Sequence, residues 1–425
     1  MLKKVKRIGG MNDLLPEKLA YWHFLEQTAT QLFQQYAYEE IRFPILEYTE
    51  LFHHSIGAAT DIVEKEMYTF TDLNGESLSL RPEGTAGCAR AVIENSLLRQ
   101  KGHKLWYQGP MFRHETPQKG RFRQFHQIGA EIYGFSDAAT EAELIALSQR
   151  LWQRLGIHQV TLQINSLGSL AARQHYRVAL ISYFEQHLTQ LDEISKHRLT
   201  RNPLRILDSK NAEMREVIKN APIMGDYLDA ASAQHFQQVL THLEQLRIPY
   251  QLNPRLVRGL DYYNNTVFEW LTDQLGSQGA ICSGGRYDGL TEQLGGPSTP
   301  AVGMALGMER VVLLLEQQNT PLLSVIPDFY LVLVGEQAQH LGLQLAEKLR
   351  DTWPMVKISV NMEGGSIKSQ MKRADRCQAR YALIIGDEEC QNQSVSLKNL
   401  RQAQEQQSMT VARFFQDLGQ FLKTE

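Results

Sequence analysis

The segment at residues 113–134 concentrates cationic and aromatic side chains that could bind a phosphorylated ligand. Its sequence, RHETPQKGRFRQFHQIGAEIYG, contains Arg113, Arg121 and Arg123 together with Phe125. A guanidinium offers a planar set of donors that matches phosphate, and an aromatic face can stack on a purine ring. The combination therefore points to a nucleotide. The alternative is a solvated hairpin whose charges are offset by nearby acids.

No glycine-rich phosphate loop accompanies these residues. The sequence lacks G-x-x-x-x-G-K-[ST], and no G-x-G-x-x-G stands between a strand and a helix. Arginines must then neutralise the phosphates, and a unit-charge pair at about 4 Å is worth about 4 kcal/mol at an effective dielectric near 20. A further candidate is Arg310 in ALGMERVVLLLE, although GMER alone is more often the exposed first turn of a core helix.

The surrounding pattern predicts an antiparallel sheet. The strand-like runs MYTFTD, SLSLRP, KLWYQGPMFRH and QFHQIGAEIYGF follow one another without the helical crossover that parallel strands require. Residues 117–120 would form the turn of a long hairpin with arginines at both of its bases. Helices are predicted at residues 17–38 and after Asp137, flanking these strands.

Two later regions follow other patterns. Residues from about 170 to 250 are helical, polar and glutamine-rich, which predicts an insertion, and strand patterns resume with TVFEW and an ICSGGRYDGL turn. Beyond Pro321 and Pro327, the apolar runs FYLVLVG, VKISVN and YALIIG alternate with helical stretches, as in parallel βαβ units. The predicted fold class is α+β with a C-terminal α/β domain.

Composition narrows the class of protein. A chain of 425 residues, 43% hydrophobic and 21% charged, can bury more than one core. The four cysteines are far apart and without zinc spacing, so reduced, buried thiols are expected. With no apolar run of about 20 residues and no signal-peptide core, a cytoplasmic protein without a membrane anchor is predicted. A pI near 6.5 confines any polyanion contact to local patches.

Five motifs, in order, resemble those of bacterial histidyl-tRNA synthetases, a family of class II aminoacyl-tRNA synthetases. IRFPILE resembles motif 1 of the class, the segment from GPMFRHE to GAEIYG resembles motif 2, and ALGMERVVLLLE resembles motif 3. RLVRGLDYYNNTVFEW and SGGRYDGL resemble the two histidine-binding signatures peculiar to this family. The resemblance runs from IGGMNDLLP into the C-terminal domain, nearly the whole chain.

The resemblance implies a domain organisation and a reaction. It implies a catalytic core at residues 1–168 and 251–320, a mainly helical insertion at 169–250, and an α/β anticodon-binding domain at 328–425. ATP, accompanied by Mg²⁺, and L-histidine would give histidyl-adenylate and pyrophosphate, and the histidyl group would pass to the 3′ end of tRNA(His). Motif 1 implies a homodimer, and the resemblance names no magnesium ligand.

For ATP, the resemblance assigns a role to each residue of the basic segment. Arg113 would bind the α-phosphate, while Arg121 and Arg310 would hold the distal phosphates. Phe125 would stack on adenine, and Glu115 would meet the edge of the base.

Catalysis is implied to be electrostatic and to depend on Arg258 and Arg113. Arg258 would supply positive charge on the attacking side of the α-phosphate, where many relatives use a metal ion. Without its surrounding motif, Arg258 would instead be read as a structural ion pair with Asp261.

The histidine pocket is implied to draw on three separate motifs. Glu83 and Thr85 would hold the α-ammonium together with Gln127. Glu131 and Tyr263 would face the imidazole, which donates at one nitrogen and accepts at the other. Neighbouring residues of a strand point to opposite faces, so one of the two adjacent tyrosines could serve only for packing. The implied histidine-binding set is Glu83, Gly84, Thr85, Arg113, Gln127, Glu131, Arg258, Tyr262 and Tyr263.

Candidate tRNA contacts lie in three places. GGSIKSQMKRADRCQAR spaces four cations by four residues, which on a helix makes one basic stripe, by default a solvated face. In an anticodon-binding domain the stripe would meet anticodon-stem phosphates. Gln118 in the hairpin turn is a second candidate. The insertion is a third. A site that hydrogen-bonds a polar side chain is selective enough to need no editing domain, so the insertion is expected to contact tRNA and not to hydrolyse misacylated products. The stripe comprises Lys368, Lys372, Arg376 and Arg380.

One departure and one alternative accompany this interpretation. Where the family has R-x-E-R-P this chain reads RHETP, with Thr116 in the turn expected to approach the acceptor end of tRNA. The alternative is the non-catalytic, histidine-sensing regulatory paralogue that acts on ATP phosphoribosyltransferase. That paralogue typically lacks the C-terminal domain and the arginine signature, and this sequence has both.

Overall fold

A computed structural model describes residues 5–57, 60–99, 102–209, 211–318, 320 and 326–422, the side chains of residues 277 and 278 excepted. The chain divides into two compact units, Met1–Thr320 and Pro321–Glu425. Each unit has a sheet and a hydrophobic core of its own. None of the helices in these ranges is long and apolar enough to cross a bilayer.

The first part of the larger unit contains the predicted hairpin and its flanking helices. Helix α1 starts at Pro16, whose fixed φ suits a first helical turn, and ends three residues short of the predicted limit. The hairpin pairs His103 with Tyr133 and Phe112 with Gln124, as predicted. In chain order the elements are α1 (Pro16–Gln35), β1 (Glu39–Glu40), β2 (Leu46–Tyr48), α2 (Thr49–Ile56), a π-helical turn (Ile62–Glu66), β3 (Tyr68–Thr71), β4 (Ser77–Leu80), α3 (Thr85–Glu94), β5 (His103–Phe112), β6 (Gln124–Tyr133), α4 (Ala139–Arg154) and β7 (Thr161–Ser166).

The described residues of the region predicted to be helical form four α-helices, with short 3-10 helices in the connections between them. Ser169, Asp192 and Asp229 cap three of them by accepting a backbone N–H with the side chain, which satisfies one of the open donors of each first turn. The first three helices share a separate apolar cluster, whereas the fourth packs into the main core. The helices are α5 (Leu170–Glu185), α6 (Glu193–Arg201), α7 (Arg215–Lys219) and α8 (Ala230–Gln245).

The chain then returns to the large sheet. The ICSGGR segment, interpreted from the sequence as part of a turn, is a strand that pairs on both edges. The elements are β8 (Gln251–Leu252), β9 (Asn264–Leu271), β10 (Ala280–Arg286), α9 (Leu290–Gln293), β11 (Ala301–Gly307) and α10 (Met308–Gln317).

The described residues of this unit form an eight-stranded sheet in the order β1-β5-β6-β11-β10-β9-β7-β8. Its inner pairs are antiparallel, and only the outer pairs β1–β5 and β7–β8 are parallel, so the predicted α+β class is confirmed. Strand alternation gives the sheet two different faces. Along β6, Ile128, Ala130 and Ile132 face the core under α1, α4, α8 and α10, which leaves Gln127 and Glu131 on the opposite face.

The smaller unit confirms the predicted βαβ pattern and extends it. Strands β13, β12 and β14 are parallel neighbours, and two further strands continue the sheet in antiparallel fashion, giving the order β13-β12-β14-β15-β16. The elements are β12 (Phe329–Leu333), α11 (Glu336–Thr352), β13 (Ile358–Val360), α12 (Ile367–Arg376), β14 (Tyr381–Ile385), α13 (Asp387–Asn392), β15 (Ser394–Asn399), β16 (Gln407–Thr410) and α14 (Val411–Leu422). All four cysteines are free, two of them buried and two half-buried.

Candidate active site

A cavity of about 270 Å³ opens on the polar face of the large sheet. Residues far apart in sequence converge there, because β6 from before the helical region pairs directly with β11 from after it. Two assigned residues, Gly84 and Glu131, are adjacent to the lining without belonging to it, and Gln118 lies in the exposed hairpin turn. The assigned residues that line the cavity are Glu83, Thr85, Arg113, Glu115, Arg121, Phe125, Gln127, Arg258, Tyr262, Tyr263 and Arg310.

Three of the guanidiniums lie close enough to influence one another. Burial, and then the neighbouring charges of Arg121 and Arg113, lower the pKa of Arg310 to about 10. Arg310 donates to the backbone carbonyls of Ala280 and Gly120. The Nε of Arg121 is buried without a partner among the described residues. Crowded cations with an unused donor make this part of the cavity a site for a polyanion.

Arg113 is fixed in place by two neighbours. Its Nε donates to the carbonyl oxygen of Pro82 at 2.8 Å, and its Cζ lies 5.2 Å from the ring centroid of Phe125. Glu115 accepts from Arg121 at 3.0 Å and lies 3.9 Å from Arg113. The acid therefore orients two of the arginines, and Phe125 presents an aromatic surface beside the first of them.

Arg258 is paired with a carboxylate that sequence reasoning missed. Its partner among the described ion pairs is Glu269 on β9, not Asp261, and its Cζ lies 5.6 Å from the ring centroid of Tyr263. Burial opposes the Arg258 charge, but Glu269, Tyr263 and Tyr262 together outweigh it and raise the guanidinium pKa. The Nε of Arg258 is buried and has no hydrogen-bond partner in the part of the chain that the structure describes. A charged residue within the apolar run TVFEW was the sequence signal for Glu269.

Glu83 supplies negative charge at the start of α3. Its carboxylate accepts the backbone N–H groups of Thr85 at 2.7 Å and Ala86 at 2.8 Å, and burial raises its pKa. Gln127, which also lines the cavity, has a buried Oε1 without a described partner. A carboxylate and an open acceptor in one cavity are suited to a ligand ammonium group.

Glu131 lies beside the cavity within a cluster of hydroxyl groups. Thr85 donates to its Oε1 at 2.7 Å, Tyr107 donates to the same oxygen at 3.0 Å, and Tyr287 donates to its Oε2 at 2.5 Å. The side chain is 1% exposed, and burial raises its pKa to about 8 despite these hydrogen bonds. Any Cβ on Gly303, which faces it across β6 and β11, would lie 1.6 Å from Oε2, so only glycine fits there.

These hydroxyl donors were only partly foreseen. The sequence pointed to Glu131 as a direct neighbour of a substrate, whereas the structure connects it to the cavity through Thr85. Tyr107 and Tyr287 were missed, although one lies within the apolar run of β5 and the other follows the GGR sequence of β10. Their role depends on pairing between strands, which the local sequence does not show.

Tyr262 and Tyr263 both line the cavity, so the alternative that one of them serves only for packing is not supported. Strand alternation does not apply to them because β9 begins at Asn264. Their ring centroids are 4.6 Å apart at an angle of 46°. Two aromatic faces therefore bound the cavity next to Arg258.

The basic stripe of the smaller unit is shorter than predicted. Lys368, Lys372 and Arg376 are exposed on α12, which ends at the last of them. Arg380 lies beyond the helix and forms an ion pair with Asp328 at 3.6 Å. Three cations therefore remain as the candidate nucleic-acid surface.

No described group of three or more His, Cys, Asp or Glu side chains is arranged to hold a metal ion. Mg²⁺ generally keeps several waters and takes only one or two carboxylates, so single cavity carboxylates are the relevant candidates. Glu115 and Glu309 are cavity carboxylates that could serve it, although His126 donates from its backbone N–H to Glu309 at 2.9 Å.

Comparisons with known proteins agree with the site. A family model described as Histidyl-tRNA synthetase matches residues 10–311, and one described as Anticodon binding domain matches residues 328–420. A histidine–tRNA ligase of Hydrogenovibrio crunogenus is 54% identical over 407 residues, covering 96% of each chain.

Solved structures share the fold. The crystal structure of apo S. aureus histidyl-tRNA synthetase aligns with a TM-score of 0.82 at 35% identity, covering 99% of this chain and 100% of that one. A Bacillus halodurans ATP phosphoribosyltransferase regulatory subunit/histidyl-tRNA synthetase aligns with a TM-score of 0.63 at 23% identity, covering 87% of this chain and 96% of that one, and shows the fold alone. Taken together, the family model, the identity to the curated relative and the fold show that this chain belongs to the histidyl-tRNA synthetase family.

Proposed function

We propose that this chain activates L-histidine with ATP and transfers the histidyl group to the 3′ end of tRNA(His). One observation carries the proposal: a single cavity holds crowded guanidiniums suited to a triphosphate and, with them, the acceptors suited to an α-ammonium group. Membership of the family, with 54% identity to a histidine–tRNA ligase, supports the same reaction.

In the first step, a carboxylate oxygen of histidine attacks the α-phosphorus, the bond to the bridging oxygen breaks, and pyrophosphate leaves. Arg113 and Arg258 stabilise the charge that develops around phosphorus from two sides, while Arg121 and Arg310 hold the departing pyrophosphate. Phe125 stacks on adenine, and Glu115 meets its edge. Fixed donors in a buried cavity stabilise such charge without reorganising, which can be worth roughly 3–4 kcal/mol for one donor.

In the second step, a hydroxyl of the terminal ribose attacks the carbonyl carbon of the adenylate, and AMP leaves with the electron pair of the anhydride bond. The smaller unit, which matches an anticodon-binding domain, supports recognition at the far end of the tRNA. Exposed Lys368, Lys372 and Arg376 would contact phosphates there, and Gln118 and Thr116 in the hairpin turn would approach the acceptor end.

Selection for histidine rests on two polar groups at the imidazole. Tyr263 lines the cavity, and Thr85 connects it to Glu131, whose raised pKa keeps the carboxyl group largely protonated at neutral pH. Imidazole requires one donor and one acceptor, and the hydroxyls can reorient to supply both. A site that hydrogen-bonds a polar side chain can reject apolar analogues by roughly 10⁴ to 10⁵.

Mg²⁺ belongs to the reaction as a companion of ATP, and it would neutralise phosphate charge when bound. Glu309 would offer it a protein oxygen, because it lines the cavity and Glu115 is assigned to the edge of adenine.

The domain organisation follows from the same function. Residues 1–168 and 251–320 would form the catalytic core, 169–250 a helical module that contacts tRNA, and 328–425 the anticodon-binding domain. The protein would accordingly act in the cytoplasm as a class II aminoacyl-tRNA synthetase.

A homodimer completes the proposal. Four apolar side chains are exposed on the described part of the small β2-β4-β3 sheet and at the residue just before it: Ile45, Leu46, Tyr48 and Phe70. Clustered apolar side chains of this kind characterise protein interfaces. Sedimentation velocity that yields the mass of a single chain of 48.5 kDa would contradict this assembly.

The regulatory paralogue is less well supported as an alternative. The structure that combines this regulatory function with the synthetase name in its title is 23% identical and shows the fold alone, whereas the anticodon-binding match and the cavity arginines fit the enzyme.

Histidine-dependent exchange of pyrophosphate into ATP tests the first step without tRNA. We expect Arg258→Ala to lower the exchange rate by about 10² or more, because it removes a preorganised cation from the reacting centre. Arg150→Ala is the control, since this exposed arginine of α4 forms no ion pair in the described ranges. Exchange at the wild-type rate in Arg258→Ala would contradict the assignment.

A second variant addresses the charge left behind. Arg258→Ala leaves Glu269 without its partner, so Arg258→Ala combined with Glu269→Gln restores neutrality. The double variant should recover thermal stability but not exchange. Recovery of both would reduce Arg258 to a structural role.

A further inference from the structure

A second cavity of about 210 Å³ lies between the helical insertion and the segment that precedes β9. It shares Arg258 and Leu260 with the lining of the first cavity, so the two are neighbours. Its lining is strongly cationic and contains Arg173, Arg177, Arg201, Arg205 and Arg258, against the single carboxylate of Asp261.

Three of the five guanidiniums are neutralised by carboxylates. Arg205 pairs with Asp61 at 2.9 Å, Arg201 pairs with Glu64, and Arg258 pairs with Glu269. The Asp261 carboxylate of the lining accepts a hydrogen bond from Asn202 at 2.8 Å. The cavity therefore has no surplus of acid to balance its remaining cations.

Arg173 and Arg177 form no direct ion pair within the described residues. Arg173 donates to the backbone carbonyls of Tyr263 at 2.6 Å and Asp261 at 3.3 Å, and burial lowers its pKa. Arg177 donates to the carbonyl of Arg201 at 3.3 Å. Asp261 attracts both cations, but one carboxylate cannot neutralise two guanidiniums. Because their described hydrogen bonds go only to neutral carbonyls, an anionic ligand is favoured.

We propose that this cavity binds the 3′-terminal phosphodiester of the tRNA acceptor strand, a role that rests on the function proposed above. The phosphates of ATP already have Arg113, Arg121 and Arg310 in the first cavity. In the transfer step, the attacking hydroxyl is on the terminal ribose. The phosphodiester that joins this ribose to the preceding nucleotide lies on the 5′ side of the same sugar. A cationic cavity that shares Arg258 with the reaction site is placed for that phosphate.

Arg177 is the residue on which the proposal can be tested. It is half-exposed, and its one described hydrogen bond is the long one to the carbonyl of Arg201, so Arg177→Ala should fold. We expect transfer from preformed histidyl-adenylate to an RNA minihelix that carries the acceptor stem and its 3′ end to slow about tenfold in a single turnover. Arg215→Ala, at an exposed arginine of α7 in the same insertion, should transfer at the wild-type rate.

A chemical change in the RNA identifies the phosphate. A minihelix whose terminal phosphodiester is a neutral methylphosphonate should slow wild-type transfer about tenfold and slow Arg177→Ala transfer no further, because the variant has already lost the interaction. Independent, multiplicative losses would overturn the proposal.

Pyrophosphate exchange separates this proposal from the function on which it rests. Exchange in Arg177→Ala should stay within about twofold of wild type, because the first step involves no tRNA. Slower exchange, by the same factor as transfer, would assign the cavity to ATP phosphates instead. Absence of exchange in the wild-type protein would refute the proposed function itself.

Discussion

Arg310 offers a prediction in which stability and function move in opposite directions. Burial, Arg121 and Arg113 lower its pKa from 12.5 to about 10. At about 1.4 kcal/mol per pH unit, keeping this charge costs the ligand-free protein roughly 3 kcal/mol. Arg310→Gln would relieve this cost but would also remove the hydrogen bonds to the carbonyls of Gly120 and Ala280, which contribute roughly 2 kcal/mol together. We therefore expect Arg310→Gln to leave ligand-free stability unchanged or to raise it by about 1 kcal/mol.

ATP should reverse the effect of this substitution. The triphosphate converts the repulsion among the three arginines into attraction, so the variant should bind ATP roughly 10²-fold more weakly. The assay is thermal denaturation of the wild type and the variant with and without ATP, alongside the ATP dependence of pyrophosphate exchange. The increase in unfolding temperature caused by ATP should shrink in Arg310→Gln and persist in Arg150→Gln, where the arginine is exposed and unpaired within the described chain.

The reasoning would be refuted by one pattern of results. If Arg310→Gln lowers ligand-free stability by more than about 2 kcal/mol while ATP stabilises it as well as the wild type, its charge is structural. The crowding of guanidiniums would then have no part in nucleotide binding.

Two further predictions concern Glu131 and the basic stripe. Because the folded-state pKa of Glu131 is about 8 and the ordinary value is 4.5, its contribution to stability is complete below the lower value and is lost as pH rises through the upper one. Urea denaturation at about pH 5.5 and 7.5 should show a loss roughly 2.5 kcal/mol larger in wild type than in Glu131→Gln, and parallel pH profiles would contradict the burial argument. Replacing Lys368 and Lys372 with alanine should weaken tRNA binding. The slope of log affinity against log salt concentration should fall by the amount expected for about two lost phosphate contacts. Lys398→Ala, at an exposed lysine of β15, should not change the slope, and an unchanged slope in the double variant would exclude the stripe from tRNA binding.

Local pattern was enough to predict the elements that carry the basic segment. The hairpin of β5 and β6 follows from two alternating runs around a turn, and α1 follows from an apolar stripe that starts at a proline. The parallel part of the smaller sheet was also predictable, since its strands are short and apolar apart from Ser359 in β13. Strands β15 and β16 were not, because SVSLKN and QSMT mix polar and apolar residues and are recognisable only through their partners.

The residues that surround the assigned ones could not be predicted either, because their positions also depend on pairing between distant strands. Glu269 meets Arg258 because alternation along β9 places it opposite Phe268 and Trp270, which face the core. Tyr107 and Tyr287 meet Glu131 only once β5, β6 and β10 have taken their places in the sheet. Sequence motifs thus indicated most of the residues that line the cavity, and pairing between distant strands decides what surrounds them.

The order of the large sheet has a consequence during synthesis on the ribosome. The neighbour of β6 on the side away from β5 is β11, which is translated more than 150 residues later. Until then, a nascent chain carries β6 with one edge unpaired, a template for unwanted association with other chains. Translational pauses or truncations within the helical insertion should therefore yield aggregation-prone fragments that depend on chaperones, and ATP could protect the nascent protein only after Arg310 has left the exit tunnel.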